Sequence, residues 1–367
     1  MKITRISVYQ FDYTVPKVYK LSGGRVFKSL DTTIVEIETD AGISGVGEGC
    51  PFGVYYGAAH ALGVRAGVEE LAPRMIGMDP RDTDRINDMM DAVLPGLNYV
   101  KTPLDMACWD IFGKSVDLPL YALLGGHNGK NLPLASSTST GTPEEMVATV
   151  QGFRDQGYKA HSIKVGGTDP SLDAERVRAV MAARGPDEDY ILDANRGWSL
   201  ESALRFAALA APINACIEAP CKTYRECLSF KRRTGVPVSM DEHLTGPDVA
   251  IQAIAEDAAD VMNIKTTKVG GVTKARRIRD ISAEAGLAMS IQETGGADIA
   301  FSALVHIAQS GPADLIRHVW DPRELAKEAT ATGGPVIENG HVQATNKPGL
   351  GVDLSRDLLG QPVAQFD

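Results

Sequence analysis

The chain of 367 residues is 44% hydrophobic and 23% charged, enough to bury a large core but too long for one ordinary domain. A net charge of −10 argues against nucleic acid or an anionic membrane as partner, since both select basic patches. No run reaches the ~20 apolar residues of a membrane helix, the N-terminus lacks an apolar signal core, and five cysteines without a CxxC pair read as reduced thiols in a cytoplasmic protein.

Residues 1–50 alternate like strands: ITRISVYQF, TTIVEIET, a turn at Asp40-Ala41-Gly42, then ISGVGEG. Residues 57–124 change to helical periodicity. It is clearest in PLDMACWDIFGKSV, where Leu104, Ala107, Cys108, Ile111 and Phe112 form one apolar stripe. From about residue 132, short apolar runs alternate with helical segments. The runs are LPLASST (132–138), AHSIKV (160–165), YILDA (190–194), ACIEA (215–219), VPVSMDE (236–242), DVMNIK (260–265), LAMSIQE (287–293) and LIRHVW (315–320). Helical patterns between them include EEMVATVQGFRDQG, LDAERVRAVMAAR, LESALRFAALAA, PDVAIQAIAEDA, KARRIRDISAEAG and AFSALVHIAQSG. Eight such units predict a closed parallel (β/α)₈ barrel of the TIM type; the alternative, an open doubly wound sheet, would need an unusually long single run of units. The expected organisation is an α+β capping domain over 1–125, the barrel over 126–330, and a Gly- and Pro-containing segment 331–367 that folds back to complete the capping domain.

The strand ends carry the chemistry. Asp193, Glu218 and Asp241 each close an apolar run, at spacings of 25 (193→218) and 23 (218→241) residues. Lys164 and Lys265 close the runs before and after them. In a parallel barrel all strand ends face one mouth, so three acidic ligands are expected side by side with a lysine on either flank. A lone strand-end Asp often only caps the next helix; three on consecutive strands point to a metal. Oxygen donors alone suit Mg²⁺, and no HExxH or paired-Cys spacing competes for zinc. Lysines that end apolar strands beside a cation are expected to lose charge stability, so that their pKa falls toward neutrality and suits a general base. Two lysines on opposite sides of a metal imply that one takes a proton from a carbon and the other returns one on the opposite face. The metal would stabilise the enediolate of a carboxylate substrate, giving racemisation or epimerisation.

The chain resembles the enolase superfamily, and within it the muconate-lactonising-enzyme and dipeptide-epimerase group. The resemblance runs nearly end to end through LPLYALLGG (118–126), LDANRGW (192–198), IEAP (217–220), MDEH (240–243), NIKTTKVGG (263–271) and KPGLGVDL (347–354). It implies Mg²⁺ on Asp193, Glu218 and Asp241, bases at Lys164 and Lys265, supporting roles for Asn195 and Glu242, and a homo-oligomer. Ser162 stands where the family's second barrel strand usually has the first lysine of Lys-x-Lys, so Lys164 lacks that neighbour.

Specificity is expected from the eighth strand end and from loops over the mouth. Dipeptide epimerases carry Asp-x-Asp at that end; here it reads His318-Val319-Trp320. An indole face holds a cation without hydrogen bonding, for about 0.5–2 kcal/mol. The covering loop CPFGVYYG (50–57) adds Phe52, Tyr55 and Tyr56, and VPKVYKLSGG (15–24), read as a loop, adds Tyr19. Glu293, at the seventh strand end, joins the substrate-binding set. These aromatics either line a site for a methylated nitrogen or merely plug the mouth and pack between domains. The resemblance extends to proline-betaine and 4-hydroxyproline-betaine 2-epimerases, which implies epimerisation at C2 of an N-methylated proline derivative. The alternatives are a cis-3-hydroxyproline dehydratase or another amino acid or dipeptide epimerase on the same site, and a metal-stabilised binding module without turnover.

Overall fold

The computed structural model describes residues 1–22, 25–53 and 56–367. Three antiparallel strands open the chain: β1 (Ile3–Lys20), β2 (Val26–Thr39) and β3 (Ser44–Gly49). Helices α1 (Ala61–Met75), α2 (Thr83–Val93), α3 (Asn98–Ser115) and the short α4 (Leu120–Leu123) follow. Ile6, Val35, Ile37, Val64, Leu71, Leu104 and Ile111 form one buried cluster between sheet and helices. The expected stripe on α3 is too narrow, because the helix is buried on nearly every side between β3 and the barrel. At β3 the approach is so close that a Cβ on Gly47 would lie 2.0 Å from the Pro103 carbonyl oxygen.

The barrel strands are β4 (Leu132–Thr138), β5 (Ala160–Lys164), β6 (Asp189–Asp193) and β7 (Cys216–Glu218). They continue with β8 (Val238–Met240), β9 (Val261–Lys265), β10 (Ala288–Gln292) and β11 (Ile316–Trp320). All neighbours are parallel and in sequence order, and β11 closes onto β4 through Val319–Leu134 and Trp320–Ala135. Outer helices are α5 (Pro143–Arg154), α6 (Pro170–Ala182), α7 (Leu200–Ala210) and α8 (Tyr224–Thr234). Then come α9 (Pro247–Ala255), the single turn α10 (Thr266–Val269), α11 (Val272–Glu284) and α12 (Asp298–Gln309). Helix α8 has no counterpart among the expected helices, its polar sequence hiding a start set by the Thr223/Glu226 capping box and a stop at left-handed Gly235.

The tail holds β12 (Ala331–Gly333), β13 (Ile337–Glu338), β14 (His341–Val342), β15 (Val352–Leu354), α13 (Arg356–Leu359) and β16 (Ala364–Phe366). Strand β16 pairs with β1 and so completes the capping sheet, while β14 pairs with β4 at the barrel. Among the described residues no helix is long and apolar enough to cross a membrane. All five cysteines are buried free thiols.

The contacts that hold the capping domain over the barrel mouth include a polar and an apolar set. Asp105 of α3 accepts hydrogen bonds from the Thr273 hydroxyl at 2.6 Å and its backbone N–H at 3.0 Å. Nearer the mouth, Tyr13, Leu21, Phe27, Phe52, Tyr56, Trp320 and Leu325 form one apolar cluster drawn from both domains.

Candidate active site

Counting barrel strands from β4, Lys164 ends strand two, Asp193 strand three, Glu218 strand four and Lys265 strand six. Asp241 is the first residue past strand five and Glu293 the first past strand seven; Trp320 ends strand eight. The register aligns Lys164 with Asp193 and Asp193 with Glu218. Strands two and six of a ring of eight are opposite one another, so the two lysines face each other across the mouth. Both are buried, at 8% and 6% exposure, and line one pocket.

Each lysine holds one carboxylate. Lys164 donates to Asp193 Oδ2. Lys265 donates to Asp241 Oδ2 at 2.6 Å and to the Tyr56 hydroxyl, which in turn donates to the same oxygen at 2.5 Å. Lys268, one turn further along α10, donates to Asp241 Oδ1 at 2.6 Å. Asn195 donates from its backbone to Asp193 Oδ1 at 2.9 Å, and from its amide to Asp193 Oδ2 at 3.0 Å and Glu242 Oε1 at 3.3 Å. Glu218 accepts from Asn263 at 3.0 Å. Asn195, Arg196 and Ala219, just beyond strands three and four, all have positive φ (41°, 60° and 40°), a cost that persists only where packing over-determines it.

The charges follow from these contacts. Burial opposes the Lys164 ammonium, but the facing Asp193 carboxylate outweighs it and raises the pKa. Lys265 is raised in the same way, against burial, by Asp241 and Glu218. The expectation that both fall toward neutrality is therefore not met in this arrangement: a direct ion pair stabilises the charge more than desolvation penalises it. Lys268 is lowered, burial prevailing over Asp241. Burial, then repulsion from Asp193 and Asp241, drives the Glu218 carboxyl far up. Burial and Asp241 push Glu242 to about 7. Asp241 is held low against burial by Lys265 and Lys268.

Among the described residues no three acidic, His or Cys side chains are gathered closely enough to hold an ion as they stand. Asp193, Glu218 and Asp241 thus stand at or just past neighbouring strand ends, with Asp193 and Asp241 turned onto lysines. The donors still fit a hard divalent cation. Three buried carboxylates come from the ends of strands three to five, burial and then their mutual repulsion push up Glu218, and Asn195 Oδ1 and Glu242 Oε2 are buried acceptors without a partner.

Tyr19, Phe52, Tyr56 and Trp320 line the pocket together with Leu21, Ala135, Ser137 and Ser162; the cavity volume is about 40 Å³. The four pack together and also line the cavity. Tyr19 is not in a loop but in β1, paired with Phe27, and its hydroxyl meets Ser137. Phe52 sits edge-on to Phe27 and Tyr56, at 4.4 and 5.7 Å. Tyr55 lies outside the described residues. Glu293 borders the pocket, yet its oxygens accept from Thr266, from the Thr267 N–H at 2.7 Å and from the Thr294 N–H at 2.8 Å, while burial raises it to about 7. It braces the loops after strands six and seven. Sequence reasoning missed Lys268, although its place three residues after Lys265 in NIKTTKVGG put it one helical turn away. Gln292 and Thr294, also in the lining, gave no signal.

The family model "Mandelate racemase / muconate lactonizing enzyme, N-terminal domain" matches residues 6–125, and "Enolase C-terminal domain-like" matches 145–358. The chain belongs to the enolase superfamily. It is 40% identical to a cis-3-hydroxy-L-proline dehydratase of Roseibium aggregatum, over 100% of both chains. It is 30% identical to an N-succinyl-L-Arg/Lys racemase of Bacillus cereus, over 98% of this chain and 97% of that one. A mandelate racemase/muconate lactonizing enzyme structure from Roseovarius nubinhibens, complexed with magnesium, superposes with a TM-score of 0.97 at 44% identity, covering 100% of both chains. The chain is an enzyme of this superfamily's epimerase, racemase and dehydratase group.

Proposed function

We propose that this protein is a Mg²⁺-dependent two-base epimerase acting at C2 of an N-methylated proline derivative, proline betaine or 4-hydroxyproline betaine. The observation that carries this reading is the pocket itself. Lys164 and Lys265 face each other from strands two and six, and the wall beside Trp320 is aromatic and without an unengaged carboxylate. A primary or secondary ammonium wants hydrogen-bond acceptors, whereas a quaternary one is content with aromatic faces. Of the two acids in the lining, Asp193 is paired with Lys164 and Glu293 is occupied by three neighbouring residues.

Asp193, Glu218 and Asp241 are the residues that would hold the metal. A divalent cation there would relieve the lysines of their carboxylates and stabilise the negative charge that builds on the substrate carboxylate as the α-proton leaves. One lysine, as the free amine, takes the C2 proton from its side of the ring. The other, as the ammonium, delivers a proton to the opposite side, so C2 inverts. Tyr56 closes over Lys265 and fixes the direction of its nitrogen, whose charge lies 4.7 Å from the ring centroid. Tyr19, Phe52 and Trp320 hold the ring between the two bases and exclude water.

A second reading is favoured by the 40% identical dehydratase. In cis-3-hydroxyproline the α-hydrogen and the 3-hydroxyl lie on opposite ring faces, so the same opposed pair could take the proton and protonate the leaving hydroxyl. Product analysis separates the two. Proline betaine incubated with enzyme and Mg²⁺ in D₂O should gain deuterium at C2 and racemise without forming a keto or imine product. Formation of a 2-imine or 2-keto acid from cis-3-hydroxyproline, with no turnover of any betaine, would decide for elimination.

A further inference from the structure

Behind the aromatic wall sits a carboxyl group with no counter-charge. The Trp320 indole N–H donates to Glu324 Oε2 at 3.4 Å, while Glu324 Oε1 is sealed from solvent without any partner. Among the described residues no Lys, Arg or His pairs with Glu324. Its neighbour Arg323 is spent on Asp321, at 2.9 Å, and on Asp298, at 3.5 Å, with its guanidinium 4.1 Å from the Phe301 ring centroid. Burial, and then Asp321, push its own carboxyl well above the usual range, so it is held toward its neutral form until a cation faces it.

We propose that Glu324, seated behind Trp320, is a specificity-determining residue that supplies the counter-charge for the quaternary ammonium of the substrate. This rests on the betaine reading above and explains how such a pocket selects a cation with no unengaged carboxylate on its surface. A carboxylate at the indole N–H enriches the ring face that receives the cation. It also adds a direct attraction through the partly buried surroundings of Trp320, where charge interactions fall off less than in bulk water. A carboxylate in the lining itself would reward N–H donors; one screened by an indole rewards charge alone. The arrangement therefore favours N-methylated over free imino acids.

The test compares two ligands of the Mg²⁺-loaded full chain, proline betaine and cyclopentanecarboxylate, which keeps the ring and carboxylate but has no charged nitrogen. Glu324→Gln preserves side-chain volume and the acceptor for the indole N–H. It should weaken proline betaine about tenfold, by calorimetry or competitive inhibition, and leave cyclopentanecarboxylate within about twofold. Glu324→Ala should give the same ratio. Equal weakening of both ligands would reduce Glu324 to a structural prop, and no change in either would also overturn the inference while leaving the betaine reading intact. A wild-type enzyme that binds cyclopentanecarboxylate as tightly as the betaine would overturn the betaine reading, and this inference with it.

Discussion

Replacing Lys164 with Ala should destabilise the metal-free protein far more than replacing Lys265. Lys164 is the only cation paired with Asp193 among the described residues, and that carboxylate is 2% exposed. Removing the ammonium leaves a buried charge supported only by the Asn195 N–H groups at 2.9 and 3.0 Å. Breaking one side of such a pair costs roughly 3–5 kcal/mol. Asp241 is different, since Lys265→Ala leaves it with Lys268 at 2.6 Å and the Tyr56 hydroxyl at 2.5 Å. That loss should be about 1–2 kcal/mol, the scale of a hydrogen bond to a charged group. Urea denaturation in EDTA-containing buffer at pH 7 measures both. Mg²⁺ should narrow the gap by replacing the missing positive charge. A Lys265→Ala protein as destabilised as Lys164→Ala, or more so, would refute the reasoning.

Glu293 gives a pH dependence with a definite sign. Folding raises its pKa from 4.5 to about 7, so its stabilising contribution is complete below about 4.5 and is lost as pH rises to about 7. Glu293→Gln should remove that slope, so the stability of wild type relative to the variant should fall between pH 5 and 7 in denaturation series, by at most about 3 kcal/mol. Equal slopes would contradict it. Mg²⁺ at a hundred times its Kd should stabilise wild type by about 2.7 kcal/mol, and Glu218→Gln should abolish most of that shift in thermal melts. Trp320→Leu should raise the Kd of proline betaine by about 2- to 30-fold, from a cation-π contribution of about 0.5–2 kcal/mol; unaltered affinity, read by calorimetry, would remove the indole from the account.

Much of this architecture was readable from local pattern. Parallel strands buried on both faces appear as short apolar runs, and a repeat of strand plus helix forces their ends to one mouth, which is why Asp193, Glu218 and Lys265 could be placed together. What escaped depended on long-range contact. Tyr19 looked like part of a loop because VPKVYK contains a proline and two lysines, but pairing with β2 carries the strand on to Lys20. The lysine pKa values depended on which carboxylate each ammonium would meet, and register aligns Lys164 with Asp193. Helix α8 carries only a short apolar stripe, Tyr224, Cys227 and Leu228, in a strongly polar sequence, and its ends are set by its caps. Glu324 had no motif at all; only the folded neighbourhood of Trp320 sets it apart.

The central claim is that two lysines act on opposite faces of one carbon. Exchange of the C2 hydrogen with D₂O, followed by NMR on each pure enantiomer of proline betaine in Lys164→Ala and Lys265→Ala, tests it most directly. The account predicts that both variants lose epimerisation by at least about 10²-fold, the scale of one general acid–base contribution. Each should still exchange the hydrogen of one enantiomer, and the two variants should retain opposite enantiomers. Retention of the same enantiomer by both, or normal epimerisation by either, would contradict a two-base site.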